Sequence, residues 1–146
     1  MKNKKDFNSL KFLESIDFNQ QFNDIQEENK NKNRKMLLSI LQVIDSFDRC
    51  FSSINHSQEI SSESQQWLSS FDKVREQLIK VMENNNVVFM DCLNQPFDPN
   101  NQKAFEIKRS NELSDYVVIE VINRGCEWNG EILRMATVVV EGPNED

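Results

Sequence analysis

The stretch LLSILQVIDSFDRCFSSI, residues 37–54, decides the first half of the fold. Its apolar residues recur after alternating steps of four and three, which places them along one face of an α-helix as a heptad seam. The stretch WLSSFDKVREQLIKV, residues 67–81, repeats the same steps. Each stretch therefore predicts an amphipathic helix. The two seams consist of Ile40, Ile44, Phe47, Phe51 and Ile54, and of Trp67, Phe71, Val74, Leu78 and Val81.

The residues around the seams predict where these helices end. Residues 52–64 are polar and rich in serine, so they form a loop long enough to reverse the chain direction. Ser62 and Gln65 make a candidate capping box at the start of the second helix. The three asparagines at 84–86 are typical of a helix end. We therefore predict a helical hairpin.

The seams also predict how the hairpin is covered. One interpretation is that they form the intramolecular core of a single hairpin. Two helices bury little apolar surface, however, whereas two hairpins together make a four-helix bundle, so a homodimer is favoured. The predicted dimerisation residues are Ile40, Ile44, Phe47, Phe51, Trp67, Phe71, Val74 and Leu78.

The region ahead of the hairpin leaves two interpretations open. Phe18, Phe22 and Ile25 share one helix face, but residues 26–35 contain no apolar residue. This stretch is either a solvated helix paired loosely with another chain or a flexible linker. A continuous helix over residues 7–51 would reach roughly 65–70 Å at 1.5 Å per residue. Such a length exceeds any core that this chain could build, so it would imply a partner chain.

After residue 86 the pattern changes to short β-branched runs separated by turn residues. Residues 95–100, with Pro96 and Pro99, predict a tight turn. Residues 123–130 connect two strands, and Gly125 and Gly130 there can adopt positive φ. The predicted strands of this small sheet are residues 87–93, 104–109, 116–123 and 131–140.

These elements predict an α+β fold. A long N-terminal helix and a helical hairpin form a dimeric four-helix bundle in residues 1–86. A small all-β C-terminal domain follows in residues 87–146.

Composition excludes several classes of function. The three glycines are too scattered for a phosphate-binding loop, and a single histidine excludes every multi-histidine metal site. The net charge is −7, and residues 87–146 hold eleven acidic and five basic residues. The chain therefore has no basic surface for nucleic acid. Any charged partner of the C-terminal part is expected to be basic.

The three cysteines and the hydropathy predict the compartment. Cys50, Cys92 and Cys126 are far apart and form no CxxC, which is typical of reduced, mostly buried thiols in a cytosolic protein. No stretch approaches the roughly 18 apolar residues of a membrane span, and the N-terminus lacks the apolar run of a signal peptide. We expect a cytoplasmic protein without membrane contact.

Two groups of polar residues are candidates for catalysis. His56 lies among serines, and a hydrolase could use it as a base beside Ser53 or Ser57, but nothing nearby in sequence could orient its ring. Asp45 and Asp48 lie three residues apart next to Arg49, which favours an ion network on the helix surface over acid–base catalysis. Neither group predicts an enzyme, and no metal or cofactor site is expected.

Three motifs resemble those of one family. Residues 43–49, VIDSFDR, resemble the segment V-[IL]-D-x-[LF]-[DE]-R of the GrpE family, the nucleotide exchange factors of DnaK-type chaperones. Residues 96–100, PFDPN, with Ala104, are similar to its P-[FL]-D-P-N-x-H-x-A. Residues 123–130, NRGCEWNG, and 132–136, ILRMA, are similar to Q-K-G-Y-x-L-N-G-R-x-[LI]-R-P-A. All three occur in the family's order and spacing.

The resemblance implies a mechanism that needs no catalytic residue and no cofactor. In the family, paired long helices lead into a dimeric four-helix bundle, and each chain ends in a small β-domain. The β-domain and the adjoining helix grip the chaperone's nucleotide-binding domain and favour its open form, so ADP leaves. A partner that binds the open form better shifts the population by its differential affinity.

The resemblance also assigns roles to individual residues and shows departures from the family. Glu131 stands where the family usually has Arg, which reverses a charge expected to contact the chaperone. A dimeric scaffold or adaptor that has lost exchange activity is therefore the alternative. Gln102, Cys126 and Met135 replace the usual His, Tyr and Pro. The implied chaperone-binding residues are Pro99, Ile122, Arg124, Glu131 and Arg134, and Asp98, Asn100, Gly125 and Gly130 are implied to shape turns.

Overall fold

The computed structural model describes the backbone of residues 3–54 and 61–144, and the side chains from residue 9 onward within those ranges. The chain divides into two compact units, residues 1–37 and 38–146. Two helices precede six strands in the described residues, so the predicted α+β class with a small all-β region at its end is confirmed. The elements are α1 Asn3–Ile54, α2 Ser62–Asn84, β1 Val87–Phe89, β2 Gln102–Ser110, β3 Val117–Asn123, β4 Cys126–Trp128, β5 Glu131–Arg134 and β6 Ala136–Pro143.

The described residues of the first unit belong to α1. Residues 26–35 are helical, so the interpretation of this stretch as a flexible linker is wrong. Glu28 and Lys32 form an i, i+4 ion pair of 2.7 Å on the exposed surface, which is the kind of contact that supports a helix without an apolar face. Phe18 and Phe22 are exposed.

The ends of α2 agree with the predicted positions to within one residue. Ser61 is the N-cap: its Oγ accepts a hydrogen bond from the backbone N–H of Ser64, and its carbonyl accepts one from Gln65 N–H. The predicted capping box at Ser62 and Gln65 is therefore wrong, because the preceding serine takes the cap. The predicted stop is confirmed, since α2 ends at Asn84 and Asn86 adopts a φ of 63°.

The β region contains two three-stranded sheets instead of the predicted single sheet. The first has the order β1-β4-β5, and the second has the order β2-β6-β3 with β2 parallel to β6. Residues 123–130, predicted as a connection, contain β4. The predicted strand at residues 131–140 is broken at Met135 into β5 and β6. These two errors explain why one sheet was predicted instead of two.

Two glycines make the first sheet possible. Asn129 and Gly130 have φ values of 52° and 80°, so this pair forms a two-residue hairpin turn between β4 and β5. A Cβ on Gly125 would lie 2.6 Å from the backbone nitrogen of Ala136, so only glycine allows this close approach.

The core of the second sheet consists of buried side chains from β3, β6 and the segment after β1. Val118, Ala136, Val138 and Val140 pack with Cys92, whose pKa is raised by burial in spite of a hydrogen bond with Gln102. Cys126 is buried as predicted, but Cys50 is exposed. Among the described residues, neither helix has an apolar stretch long enough to cross a membrane. Further buried apolar residues of the second unit are Leu41, Ile44, Met82, Val87, Trp128 and Leu133.

Candidate functional site

The site is built on two carboxylates of α1 that belong to the second unit. Asp45 and Asp48 lie three residues apart, so they project from neighbouring turns on one side of the helix. Asp45 directly follows Ile44, which is fully buried, and it is itself only 7% exposed. A buried carboxylate is costly unless it is paired and hydrogen-bonded. The structure supplies partners from distant parts of the chain.

Arg134, at the end of β5, pairs with Asp45 in a two-pronged contact. Its Nη1 and Nη2 donate to the two carboxylate oxygens of Asp45 at 2.7 and 2.9 Å. Its Nε and Nη2 also donate to the backbone carbonyl of Arg124 at 2.9 and 2.7 Å. This geometry uses the planar fork of the guanidinium, which a lysine could not reproduce. Arg134 therefore connects α1, β5 and the residues between β3 and β4.

Asp48 connects the same region to α2. Its Oδ2 accepts a hydrogen bond from Arg124 Nε at 2.8 Å, and its Oδ1 accepts one from Arg75 Nη1 at 2.8 Å. Arg75 also pairs with Asp72 and lies 5.4 Å from the centre of the Phe51 ring. Two arginines from different elements thus converge on one carboxylate.

These contacts correct the sequence-based interpretation of the two acids. The prediction that Asp45 and Asp48 form an ion network with Arg49 on the helix surface is wrong, because Asp45 is buried and both acids bind arginines far away in the chain. Arg49 instead donates to the hydroxyl of Ser46. We call the contacts of Asp45 with Arg134 and of Asp48 with Arg124 and Arg75 the ionic latch.

The ionic latch determines the charge state of Asp48. Partial burial raises the pKa of this carboxyl, but hydrogen bonds and charge attraction from Arg124 and Arg75 outweigh burial, and the net effect lowers the pKa. Asp48 is therefore ionised at neutral pH and holds both arginines as a charged acceptor.

A cleft of about 580 Å³ lies beside the ionic latch. Side chains from α1, α2, the segment after β1, and β3 line it, and it combines charged groups with apolar ones. The lining residues that define this helix–sheet cleft here are Asp48, Phe51, Arg75, Leu93, Ile122 and Arg124. The cleft therefore presents a mixed polar and apolar surface.

The turn before β2 is organised by one aspartate. The carboxylate of Asp98 accepts hydrogen bonds from the backbone N–H of Asn100 at 2.9 Å and from the side-chain amide of Asn101 at 2.7 Å. The backbone N–H of Asp98 donates to the buried Gln102 side chain. Pro99 is exposed in this turn. These bonds hold the turn in one shape.

The structure brings together only some of the predicted chaperone-binding residues. Ile122 and Arg124 line the helix–sheet cleft, and Arg134 lies beside Arg124 in the ionic latch. Pro99 and Glu131 are exposed but do not line the cleft.

Sequence reasoning missed the pairing of the buried Asp45 with Arg134. The available signal was its position directly after Ile44, because a charge beside a buried seam residue needs a partner. Its partner, 89 residues away, carries no signal in the sequence itself. His56, the other candidate, lies outside the described residues. In the described part of the chain, no group of three or more His, Cys, Asp and Glu side chains is placed to hold a metal ion.

Comparison with known proteins identifies the family of this chain. The GrpE family model matches residues 14–142, a range that contains the ionic latch, the helix–sheet cleft and both sheets up to Gly142. The chain belongs to the GrpE family. The predicted resemblance is therefore confirmed.

Individual relatives support the same assignment. Protein GrpE of Prochlorococcus marinus (strain MIT 9211) is 35% identical over 113 residues, which cover 75% of this chain and 44% of the relative. Protein GrpE of Synechococcus sp. (strain CC9605) is 35% identical over 112 residues, covering 75% and 48%. Protein GrpE of Brachyspira hyodysenteriae is 30% identical over 114 residues, covering 78% and 56%. The aligned part of the chain thus spans about half the length of these GrpE relatives.

The ionic latch predicts a large stability loss when one partner is removed. Changing Asp45→Asn or Arg134→Met leaves a mostly buried charge without its partner, so each variant should lose about 3–5 kcal/mol of unfolding free energy. Urea unfolding of both single variants and of the double variant measures the coupling between the two residues. The control is Glu28→Gln, which removes the exposed pair with Lys32 and should leave stability unchanged. An equal unfolding free energy for Asp45→Asn and for the control would contradict a stabilising role of the ionic latch.

The lowered pKa of Asp48 predicts a specific dependence of stability on pH. The ionised carboxylate stabilises the fold fully above the ordinary pKa of an unfolded aspartate, and this stabilisation disappears as pH falls through the lower pKa of the folded protein. Asp48→Asn should therefore be less stable than the wild type at neutral pH, and the difference should shrink in acid. Urea unfolding over a pH series checks this, with the exposed Asp24→Asn as control for the loss of one charge. A difference that stays constant with pH would contradict the prediction.

Proposed function

We propose that this protein is a nucleotide exchange factor, a co-chaperone of a DnaK-type chaperone. It binds the chaperone's nucleotide-binding domain, favours the open form of that domain and promotes ADP release, and so supports protein folding and the stress response. The match of the GrpE family model to residues 14–142 carries this proposal. The protein acts by binding alone and is not an enzyme, and it needs no cofactor of its own.

The physical requirement for this activity is a surface that keeps its shape. A ligand shifts a two-state equilibrium only through its different affinities for the two states, and a surface that adapts to both states loses that difference. The ionic latch supports such rigidity because Asp45 and Asp48 hold α1 to Arg134 and Arg124 of the β region. The α1 helix and the β region can then bind the chaperone as one rigid unit.

The proposed chaperone contacts follow from where their side chains lie. Ile122 offers an apolar contact at the helix–sheet cleft, and the exposed Pro99 and Glu131 extend the surface beyond it. Arg124 and Arg134 have their guanidinium groups on Asp48 and Asp45, so they serve mainly to position the surface. In this proposal the neighbouring turns are shaped by Asp98, Asn100, Gly125 and Gly130. The chain dimerises through residues 1–86 and contacts the chaperone through residues 87–146.

The exposed seam of α2 supports a homodimer. Trp67, Phe71 and Val74 are 63%, 50% and 44% exposed, and the rings of Trp67 and Phe71 lie 6.5 Å apart on the same face. A continuous apolar face of this kind is typical of an interaction surface. In the proposed four-helix bundle the α2 seam residues Trp67, Phe71, Val74 and Leu78 of two chains pack together with the half-buried α1 seam residues Ile40, Phe47 and Phe51. Ile44, which the sequence also predicts as a dimerisation residue, is fully buried within its own chain and is not available for this contact.

One observation favours a second candidate function. Glu131 is exposed at the start of β5, where a basic contact is expected in the family. A dimeric scaffold that binds its partner without accelerating nucleotide release would be compatible with this charge reversal.

Nucleotide release distinguishes the two candidates. The measurement is stopped-flow release of a fluorescent ADP analogue from the DnaK-type chaperone of the same organism. We expect the release rate to increase with protein concentration and then saturate, and the equilibrium affinity of the chaperone for ADP to fall by about 5–150-fold, the usual range of coupling between two ligands. Glu131→Arg should leave this rate nearly unchanged if the partner surface has adapted to Glu131.

The scaffold gives different results in the same experiment. Binding without acceleration would support the scaffold, and a large gain in affinity for Glu131→Arg would indicate that the interface has decayed. Glu112→Arg, an equal charge change at an exposed residue between β2 and β3, is the matched control. If the protein neither bound the chaperone nor accelerated nucleotide release, both candidates would be refuted.

The homodimer has its own test. Replacing Trp67 and Phe71 together by Glu places charges on the exposed seam, so sedimentation equilibrium should show the helix-paired dimer of the wild type dissociating into monomers. Ser69→Glu, an exposed residue between the two on α2, is the control and should stay dimeric. A dimer that survives the double change would show that the α2 seam is not the interface.

A further inference from the structure

The strand β2 lies at an open edge of the second sheet. The opposite edge, β3, is covered by residues 94–97: Asn94 N–H donates to the Val118 carbonyl, Val118 N–H donates to the Gln95 carbonyl, and Phe97 N–H donates to the Tyr116 carbonyl, each at 2.9 Å. Among the described residues, β2 pairs with β6 alone. Its outward backbone groups can therefore accept a further strand.

The exposed side chains of β2 form an unusual pattern for this acidic region. Ile107 is 47% exposed, and Glu106 and Lys108 on either side of it are exposed as well. A bulge lies between Ala104 and Glu106, but from Glu106 to Ser110 the register with β6 is uninterrupted. The segment around Ile107 is thus a regular strand with one acidic and one basic neighbour.

We propose that this edge pairs, antiparallel, with the same edge of a second copy of the chain, centred on Ile107. In that register Glu106 faces Lys108 of the second copy, Lys108 faces Glu106 of the second copy, and the two Ile107 side chains face each other. Two opposite-charge pairs and one apolar pair form together with the backbone ladder. The interface is closed by its own two-fold symmetry.

The neighbouring register explains why the pairing is specific. Centred on Glu106, the two Glu106 side chains face each other and Lys103 faces Arg109, so like charges meet at both positions. Arg109 moreover already donates to the Tyr116 hydroxyl and the Pro143 carbonyl. Like charges directly opposite each other destabilise a sheet. Of these two registers, only the one centred on Ile107 is self-complementary.

This inference goes beyond the proposed function and does not depend on the α2 seam. A dimer built through the helices still has one β2 edge on each chain, so pairing of these edges joins dimers into larger assemblies. The competing occupant is an acidic extended segment of another protein. Lys103, Lys108 and Arg109 favour such a segment, since they are three of the five basic residues after residue 86.

Charge reversal tests the second copy as occupant. Sedimentation velocity of the wild type across a dilution series should show a component larger than the helix-paired species that dissociates on dilution. Lys108→Glu and Glu106→Lys should each weaken this association by about tenfold or more, because each turns two attractive pairs into repulsive ones. The double variant Glu106→Lys/Lys108→Glu should restore it.

The matched control separates register from total charge. Lys103→Glu makes the same charge change on the same strand, but position 103 faces Asn111 in the proposed register, so association should stay at the wild-type level. All these positions are exposed, and circular dichroism checks that the variants remain folded. If the wild type showed no component larger than the helix-paired species, the proposal would be overturned. The acidic segment of another protein would then be the remaining candidate for binding at the β2 edge. Equal effects of Lys103→Glu and Lys108→Glu would overturn the register.

Cross-linking tests the two-fold axis directly. In a Cys50→Ser background, which removes the exposed native thiol, Ile107→Cys places two thiols opposite each other at a Cβ distance of about 4.5–5.5 Å. Mild oxidation should convert most of this variant into a disulfide-linked pair, whereas Lys103→Cys in the same background should not cross-link. Equal cross-linking of both variants, or of neither, would overturn the proposal.

Discussion

The contact between Asp45 and Arg134 is the constraint on which the second unit depends. A carboxylate that is 7% exposed is tolerable only with a partner that satisfies both oxygens, and Arg134 does so with two parallel hydrogen bonds. The same guanidinium also binds the carbonyl of Arg124. One side chain therefore determines where the end of β5 and the residues before β4 lie relative to α1.

Asp48 extends this constraint to α2. Arg75 comes from α2 and Arg124 from the residues between β3 and β4, and both bind Asp48. The lowered pKa of Asp48 therefore reflects contacts that join α1, α2 and the β region. The energetic cost of burying these charges is offset only when all partners are in place. Such a network favours one arrangement of the elements over alternatives with similar hydrophobic burial, which is the property that the proposed exchange activity would require.

The protein leaves two different surfaces open, and they differ in physical character. The α2 seam is an apolar helix face, whose burial against another helix is driven by the hydrophobic effect and tolerates small shifts in position. The β2 edge has directional backbone groups and alternating charges, so its pairing depends on register. The proposed dimer and the proposed edge pairing can therefore be disrupted separately, by charges on the seam and by charge reversal on the strand.

Local patterns in the sequence determined the helices, the stop at residues 84–86, the turn at residues 95–100 and the family, because these depend on neighbours within a few positions. The hairpin at Asn129-Gly130 also had a local signal, although β4 is so short that it was predicted as a connection. Only the tertiary structure decided the division into two sheets and the partners of Asp45 and Asp48. Charges paired across 76 or 89 residues meet only after the chain has folded, and their spacing in sequence contains no information about that distance.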